Sequence, residues 1–279
     1  MKTRLFSILC IMLLLMSCNS VKRLTEPEYV AILRESGPYV ADTTLHLDFE
    51  YEEDSVIAGE IRSYFQLDTI FNPELTTWEN TLNIARFIYR NIPHANQKAP
   101  VEKRNAIDLW EYHLNVEPGI NCRWHSVIMH EMLLSLGIVN RFVTCEPEDS
   151  KDNDCHVVNI VWLDEYDKWA MIDTDQGAYV TDTLSDIPLS LEEMRQNKID
   201  GIPMEYHFFE NKLDPDYYSR YWAKNLYWFE CWEKTGYDKE TTYDESDGRQ
   251  IGLVPQGFEG YYSGRVYTSD AEQFWQRPK

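Results

Sequence analysis

Cys122, His156 and Asp173 are the residues whose types and order could carry out nucleophilic chemistry in this chain. Cys122 lies in "GINCRWHSVIMHEMLLSLGIVNRFVTC", where a short turn gives way to an apolar-periodic run. A thiol at a helix start sits among unpaired N–H groups and at the positive end of the macrodipole, and both favour the thiolate. His156 stands near the start of "CHVVNIVWLDEYDKWAMID" and Asp173 closes it. A tight turn centred between Asp164 and Glu165 would set His156 directly opposite Asp173 in an antiparallel hairpin, where the carboxylate can hold and polarise the imidazole. Each residue alone is a weak signal. Together they supply the nucleophile, base and orienting group of acyl transfer through a thioester.

Stepwise periodicity predicts the elements that must position them. Thr76 and Glu79 form a capping box ahead of a helix whose Trp78, Leu82, Ala85, Tyr89 and Ile92 share one face until Pro93 stops it. A second helix covers about 105–115, with Ala106, Leu109, Trp110 and His113 on one side. After the break "VEPGI", a third helix starts near Cys122, presents Val127, Ile128, Met132, Leu133 and Leu136, and ends at Gly137. "VNRFVTC", "CHVVNIVWL" and "KWAMID" read as three antiparallel strands. The segment 28–75 mixes a short helix, the alternating "TLHLDFEY" and the helical "VIAGEIRSYF", and carries no chemical signal. The segment 205–279 is crowded with aromatics, as in "YYSRYWAKNLYWFECWEKTGY"; it reads as a helix whose aromatic face closes over the sheet, with an aromatic wall to a cleft as the sharper reading.

With these elements in view, the chain resembles the transglutaminase-like superfamily, whose papain-like core runs from G-x-C through a helix ending "LGIxxR" to a histidine strand and "W…D". The corresponding stretches are "GINC", "LGIVNR", "CHVVN" and "KWAMID", with "ARFIYRNI" similar to the preceding helix. The resemblance covers roughly residues 76 to 180. It implies nucleophile Cys122, base His156 and orienting Asp173, in an α+β fold with the cysteine helix packed on an antiparallel sheet bearing His and Asp. The chain departs from the pattern at Gly119, three residues before the cysteine rather than two, and at Arg123, Trp124, Ser126 and Val157. These positions bear on pocket shape and on the oxyanion site. The Cys122 N–H is one oxyanion donor, and Trp110, Tyr112 or Asn121 could supply another.

Composition bounds the rest. A chain of 279 residues, 43% apolar and 14% aromatic, can bury a large core. Lys2 and Arg4 precede "LFSILCIMLLLM", too short to span a bilayer comfortably, and "LMSC" is similar to the lipobox of bacterial lipoproteins. Residues 1–17 therefore read as a lipoprotein signal peptide, Cys18 as the lipidated residue, and 18–27 as a tether. The organisation continues with an N-terminal extension at 28–75, a core at 76–204 and a C-terminal extension at 205–279. The expected location is the bacterial cell envelope, membrane-anchored through the N-terminal lipid and facing the periplasm or exterior.

A net charge of −21 and the lack of any basic stripe argue against nucleic acid as a partner. Cys145 and Cys155 flank the acidic loop "EPEDSKDND", where either a disulfide or two reduced thiols fit, and Cys231 reads as core. His125 and His130, five apart, do not share a helix face and read as structural; the acidic loop lacks calcium-ligand spacing and reads as solvated. No cofactor or metal is needed for the chemistry.

The function expected is thus a cysteine-dependent hydrolase or acyltransferase acting on an amide of a protein, peptide or peptidoglycan-type substrate. Hydrolysis is favoured over amine transfer because nothing in the sequence promises a dry tunnel. The rival reading is a catalytically idle module that keeps the fold to hold a peptide or glycan.

Overall fold

The computed structural model describes residues 24–210, 212–241 and 249–279; Cys18 and the leader lie outside them. In chain order the elements are α1 (Glu26–Glu35), β1 (Glu50–Tyr51), α2 (Ser55–Phe65), α3 (Thr77–Asn91), α4 (Ala106–Asn115), α5 (Cys122–Ser135), β2 (Asn140–Glu146), β3 (His156–Leu163) and β4 (Lys168–Asp173). They continue with β5 (Ala178–Asp182), α6 (Leu191–Asp200), β6 (Met204–Phe208), α7 (Pro215–Asn225), β7 (Trp228–Trp232), β8 (Lys234–Thr235), β9 (Gln250–Leu253), β10 (Arg265–Thr268) and α8 (Ala271–Phe274). Among the described residues no helix is long and apolar enough to cross a membrane.

Eight strands form one sheet in the order β10-β9-β7-β2-β3-β4-β5-β6, antiparallel throughout except between β10 and β9. The fold class is α+β. Strand alternation sends Val157, Val161 and Ile172 to one face, under α2, α3, α4 and α5, and Val158, Ile160 and Met171 to the other, under α6 and α7. The stretches read as extensions are built into these layers. Part of 28–75 supplies α2, which packs on α5, and 205–279 supplies α7 and the strands β7, β9 and β10.

The three-strand reading and the capping box hold. Thr76 Oγ1 accepts from Glu79 N at 3.2 Å while Glu79 Oε2 accepts from Thr76 N at 2.9 Å. Helix α5 is more enclosed than its apolar stripe suggests, since every residue from Trp124 to Ser135 is buried. Its polar side chains are accommodated by hydrogen bonds: His130 meets Asn140 Oδ1 at 2.8 Å and Thr235 Oγ1 at 2.7 Å, and burial pushes its imidazole down to about 4. Glu131 accepts from the N–H groups of Ala106 and Asp238, both at 2.7 Å. Gly137 follows the helix with a φ of 76°, the left-handed cap conformation that glycine adopts without strain.

Two expectations are corrected, and one choice left open is decided. The turn between β3 and β4 has four residues, Asp164 to Asp167, because Leu163 pairs with Lys168 and Asp167 takes a left-handed φ of 51°. The pairing is therefore displaced by two: Asn159 faces Ile172, and His156 lies diagonal to Asp173 rather than opposite it. An even displacement preserves the face, so contact survives. Cys231 lies in strand β7, not in the aromatic helix, which stops at Asn225; the residue is core as expected. Cys145 and Cys155 are free thiols. Cys145 pairs with His156 across the ladder, so Cys155, one residue earlier, falls out of phase with it.

Candidate active site

Helix α5 starts where Asn121 Oδ1 accepts from Trp124 N at 3.2 Å, a cap worth about 1 kcal/mol. That cap places Cys122 in the first turn, half-buried, on the wall of a cavity of about 630 Å³ that it shares with His156, His94, Asp175, Tyr217 and Tyr221. Gly119 explains its own unusual spacing. With a φ of 90°, it lies so close to the segment 93–95 that a Cβ would stand 2.8 Å from Pro93 O and 2.7 Å from Ala95 Cβ. That approach lets Ile120 N donate to Pro93 O at 3.1 Å and Ala95 N donate to Ile120 O at 2.9 Å.

The other departures also have structural reasons. Ser126 Oγ donates to Val157 O at 3.0 Å, tying the helix to the start of β3. Arg123 donates to Glu240 and to Thr144 Oγ1, at 3.2 and 3.1 Å, and Trp124 is buried beneath Arg104.

His156 opens β3, nearly fully buried, with Nε2 2.7 Å from Asp173 Oδ2. Cys122 lines the same cavity and acts electrostatically on this ring. Burial alone would keep this ring neutral, but the charge and hydrogen bond of Asp173, with a smaller contribution from Cys122, outweigh it and raise the imidazole well above its usual range. Asp173 is wholly buried behind the wall and accepts from Gln176 N at 3.0 Å and from Tyr218 Oη at 2.8 Å.

Tyr218 belongs to α7, whose Tyr221 and Trp222 present ring edges to His156 at 5.3 and 5.7 Å. The aromatic run is therefore both core and cavity wall. Tyr218→Phe should lower stability by about 1 kcal/mol in urea titration, a modest loss because Asp173 keeps two other donors.

The acidic loop is not simply solvated. Lys224 Nζ bonds Asp152 Oδ2 and Asp154 Oδ2, at 3.1 and 2.9 Å, and Asn153 and Asp154 line the cavity. Of the three side chains considered as oxyanion donors, Asn121 alone lines it; Trp110 stacks on Phe87 at 5.3 Å, and Tyr112 Oη donates to Ala99 O at 2.9 Å.

Sequence reasoning missed His94 and Asp175. Asp175, two residues past Asp173, accepts on Oδ1 from His94 Nδ1 at 2.7 Å and pairs with His125 Nδ1, which lies 3.0 Å from the same oxygen. Burial would raise its carboxyl, but these two bonds hold it well below the usual carboxylate range. The same pairing raises His94. His125, fully buried, also reaches Asn121 O at 3.0 Å and Ile92 O at 3.1 Å. Among the described residues no group of three or more His, Cys, Asp or Glu is arranged to hold a metal ion.

No family model matches the chain, and no curated protein matches it. Two solved structures are similar. One, from Cytophaga hutchinsonii and provisionally described as a cysteine protease, is 13% identical with a TM-score of 0.34, over 57% of this chain and 54% of that one. The other, described as a TGase, is 11% identical with a TM-score of 0.32, over 79% of this chain and 45% of that one. The chain thus spans about half the length of each.

Proposed function

We propose that the protein is a cysteine-dependent acyl-transfer enzyme of the transglutaminase-like type, acting on an amide of a protein, peptide or peptidoglycan-type substrate. The observation that supports this reading is that Cys122 shares a cavity with His156, whose Nε2 lies 2.7 Å from Asp173 Oδ2.

In the reaction the Cys122 sulfur attacks the carbonyl carbon of the amide, and the Cys122 N–H, with the Asn121 side chain that lines the cavity, serves as oxyanion donor. His156 gives a proton to the departing amine as the C–N bond breaks, leaving a thioester. Water, deprotonated by His156, then attacks the thioester and frees the thiolate. Asp173 holds the ring through both steps, with Tyr218 holding Asp173. Water is the favoured acceptor because the cavity is open at its His94 edge, where that side chain is 46% exposed.

The reading extends to an envelope lipoprotein anchored through Cys18; release of a Cys18→Ser form from membranes tests that part. For the chemistry, the test is capture of the acyl-enzyme from a cell-envelope extract. Mass spectrometry should find an acyl group on the Cys122 peptide, absent in Cys122→Ser, and released by water faster than by an added primary amine. A Cys122 that never carries an acyl group returns the protein to the class of binding modules.

A further inference from the structure

The cavity at Cys122 does not end at His94. A second hollow of about 530 Å³ shares His94, Asp175 and Gln176 with it and continues past Arg90 and Lys212. The shared wall is built in depth. His94 is pinned by the bridge between its own strand-like segment and Ile120, two residues from Cys122. Its Nδ1 is committed to Asp175, so Nε2, on the far side of the ring, is the free vertex of an exposed imidazole above a buried carboxylate.

Asp175 has no capacity left for a ligand: Oδ1 is shared by His94 and His125, and Oδ2 accepts from Gln176 Nε2 at 2.6 Å. Arg90, exposed on the same arm of the cleft, has no ion-pair partner among the described residues, whereas Lys212 is paired with Glu210. The arm therefore offers, in Arg90, a cation without a matching anion beside the free edge of the His94 imidazole, in a chain whose overall charge is strongly negative.

We propose that this arm is a carboxylate-binding subsite, with His94 Nε2–H as its near donor and Arg90 as its far one, and that the amide acted on at Cys122 carries a carboxylate beside the scissile bond. The inference rests on the acyl-transfer reading for its substrate, but the subsite itself can be tested without any substrate. The ion pair it forms is charge-assisted and short-ranged, so it selects for position as well as for charge.

Two reagents of similar size report on it. Iodoacetate and iodoacetamide both react by displacement: the Cys122 sulfur forms a bond to the methylene carbon, the C–I bond breaks, and iodide leaves. Only iodoacetate carries a carboxylate, so the ratio of the two rates at Cys122 reads the subsite, while the iodoacetamide rate alone reads the thiol.

His94→Gln should lower that ratio about threefold, the scale of one unit charge several ångströms away in a partly solvated cleft, with any effect on the thiol itself read by the iodoacetamide rate and divided out. Arg90→Gln should lower it less, and only at low salt. In the native chain the ratio should fall as pH rises through the titration of His94, which Asp175 places above the ordinary imidazole value and which His125, His156, Asp173, Arg90 and the Glu210–Lys212 pair also face. That step should be missing from His94→Gln.

N-acetylglycine and N-acetylaspartate amide, used as competitors, separate the two sources of a carboxylate. Greater slowing of iodoacetate by the first means a chain end, and by the second a side chain. An unchanged ratio in His94→Gln overturns the subsite, as does a parallel fall of both rates, which would make His94 a support of the thiol alone. If iodoacetamide does not favour Cys122 over the other thiols, the acyl-transfer reading fails, yet the ratio on that one thiol still decides the subsite.

Discussion

Iodoacetamide at mildly acidic to neutral pH is expected to modify Cys122 ahead of Cys145, Cys155 and Cys231, by about a thousandfold or more over Cys155. Burial pushes the Cys155 thiol up to about 12 and the Cys231 thiol up to about 11, and raises Cys145 well above its ordinary value. At pH 7 a thiol with a pKa of 12 is about one part in 10⁵ thiolate, whereas an ordinary cysteine is a few per cent thiolate. Cys145 and Cys231 are in addition almost wholly out of reach of solvent. The advantage of Cys122 should depend on its partner. His156→Ala removes the imidazolium while leaving the helix end, so most of the selectivity should go; Asp173→Asn, which keeps the ring in place, should weaken it less. Peptide mapping across a pH series measures all three. Labelling of Cys122 that is no faster than the rest and indifferent to His156 would sink the enzyme reading.

Asp175→Asn should destabilise the fold by about 3 kcal/mol at neutral pH, because it removes the carboxylate facing a fully buried imidazole. The pH dependence has a definite sign on each side. Asp175 is depressed in the folded state, so its contribution is present above the ordinary carboxylate value and is lost as pH falls through the lower folded value. His94 is raised, so the contribution of its protonated form is present below the ordinary imidazole value and is lost as pH rises through the higher folded value. The stability gap between the native chain and Asp175→Asn should therefore be widest from about pH 5 to pH 7 and should narrow in both directions. Urea titrations at a series of pH values check it. A gap that is flat with pH would mean that the two histidines take no part in the pairing.

What the sequence made legible was local. Thr76 and Glu79 announce a helix because a capping box needs only four residues, and "CHVVNIVWL" announces a strand because its β-branched residues sit close together. Cys122 at a helix start, and His156 and Asp173 on adjoining strands, were readable for the same reason. The loop length between those strands was not: Asp167 adopts a left-handed conformation without being glycine, so a four-residue turn looks like a tighter one. The partners that complete the site come from farther away. Tyr218 reaches Asp173 from a helix beyond two further strands, and His94 meets Asp175 from a loop 81 residues earlier in the chain. Such contacts leave no periodic trace in the chain. The change from helix to strand before Cys231 was hidden differently, since an unbroken aromatic run satisfies either period.

The order of the parts along the chain carries a consequence for biogenesis. During synthesis the thiol of Cys122 emerges first, then the imidazole of His156, then Asp173, and only later the Tyr218 hydroxyl that donates to Asp173. On the proposed reading, a chain stopped before Pro215 owns every reacting group and still has no assembled catalyst. The segment from Pro215 onward then acts as a lock on timing: the nucleophile is armed only after the polypeptide has been completed and folded.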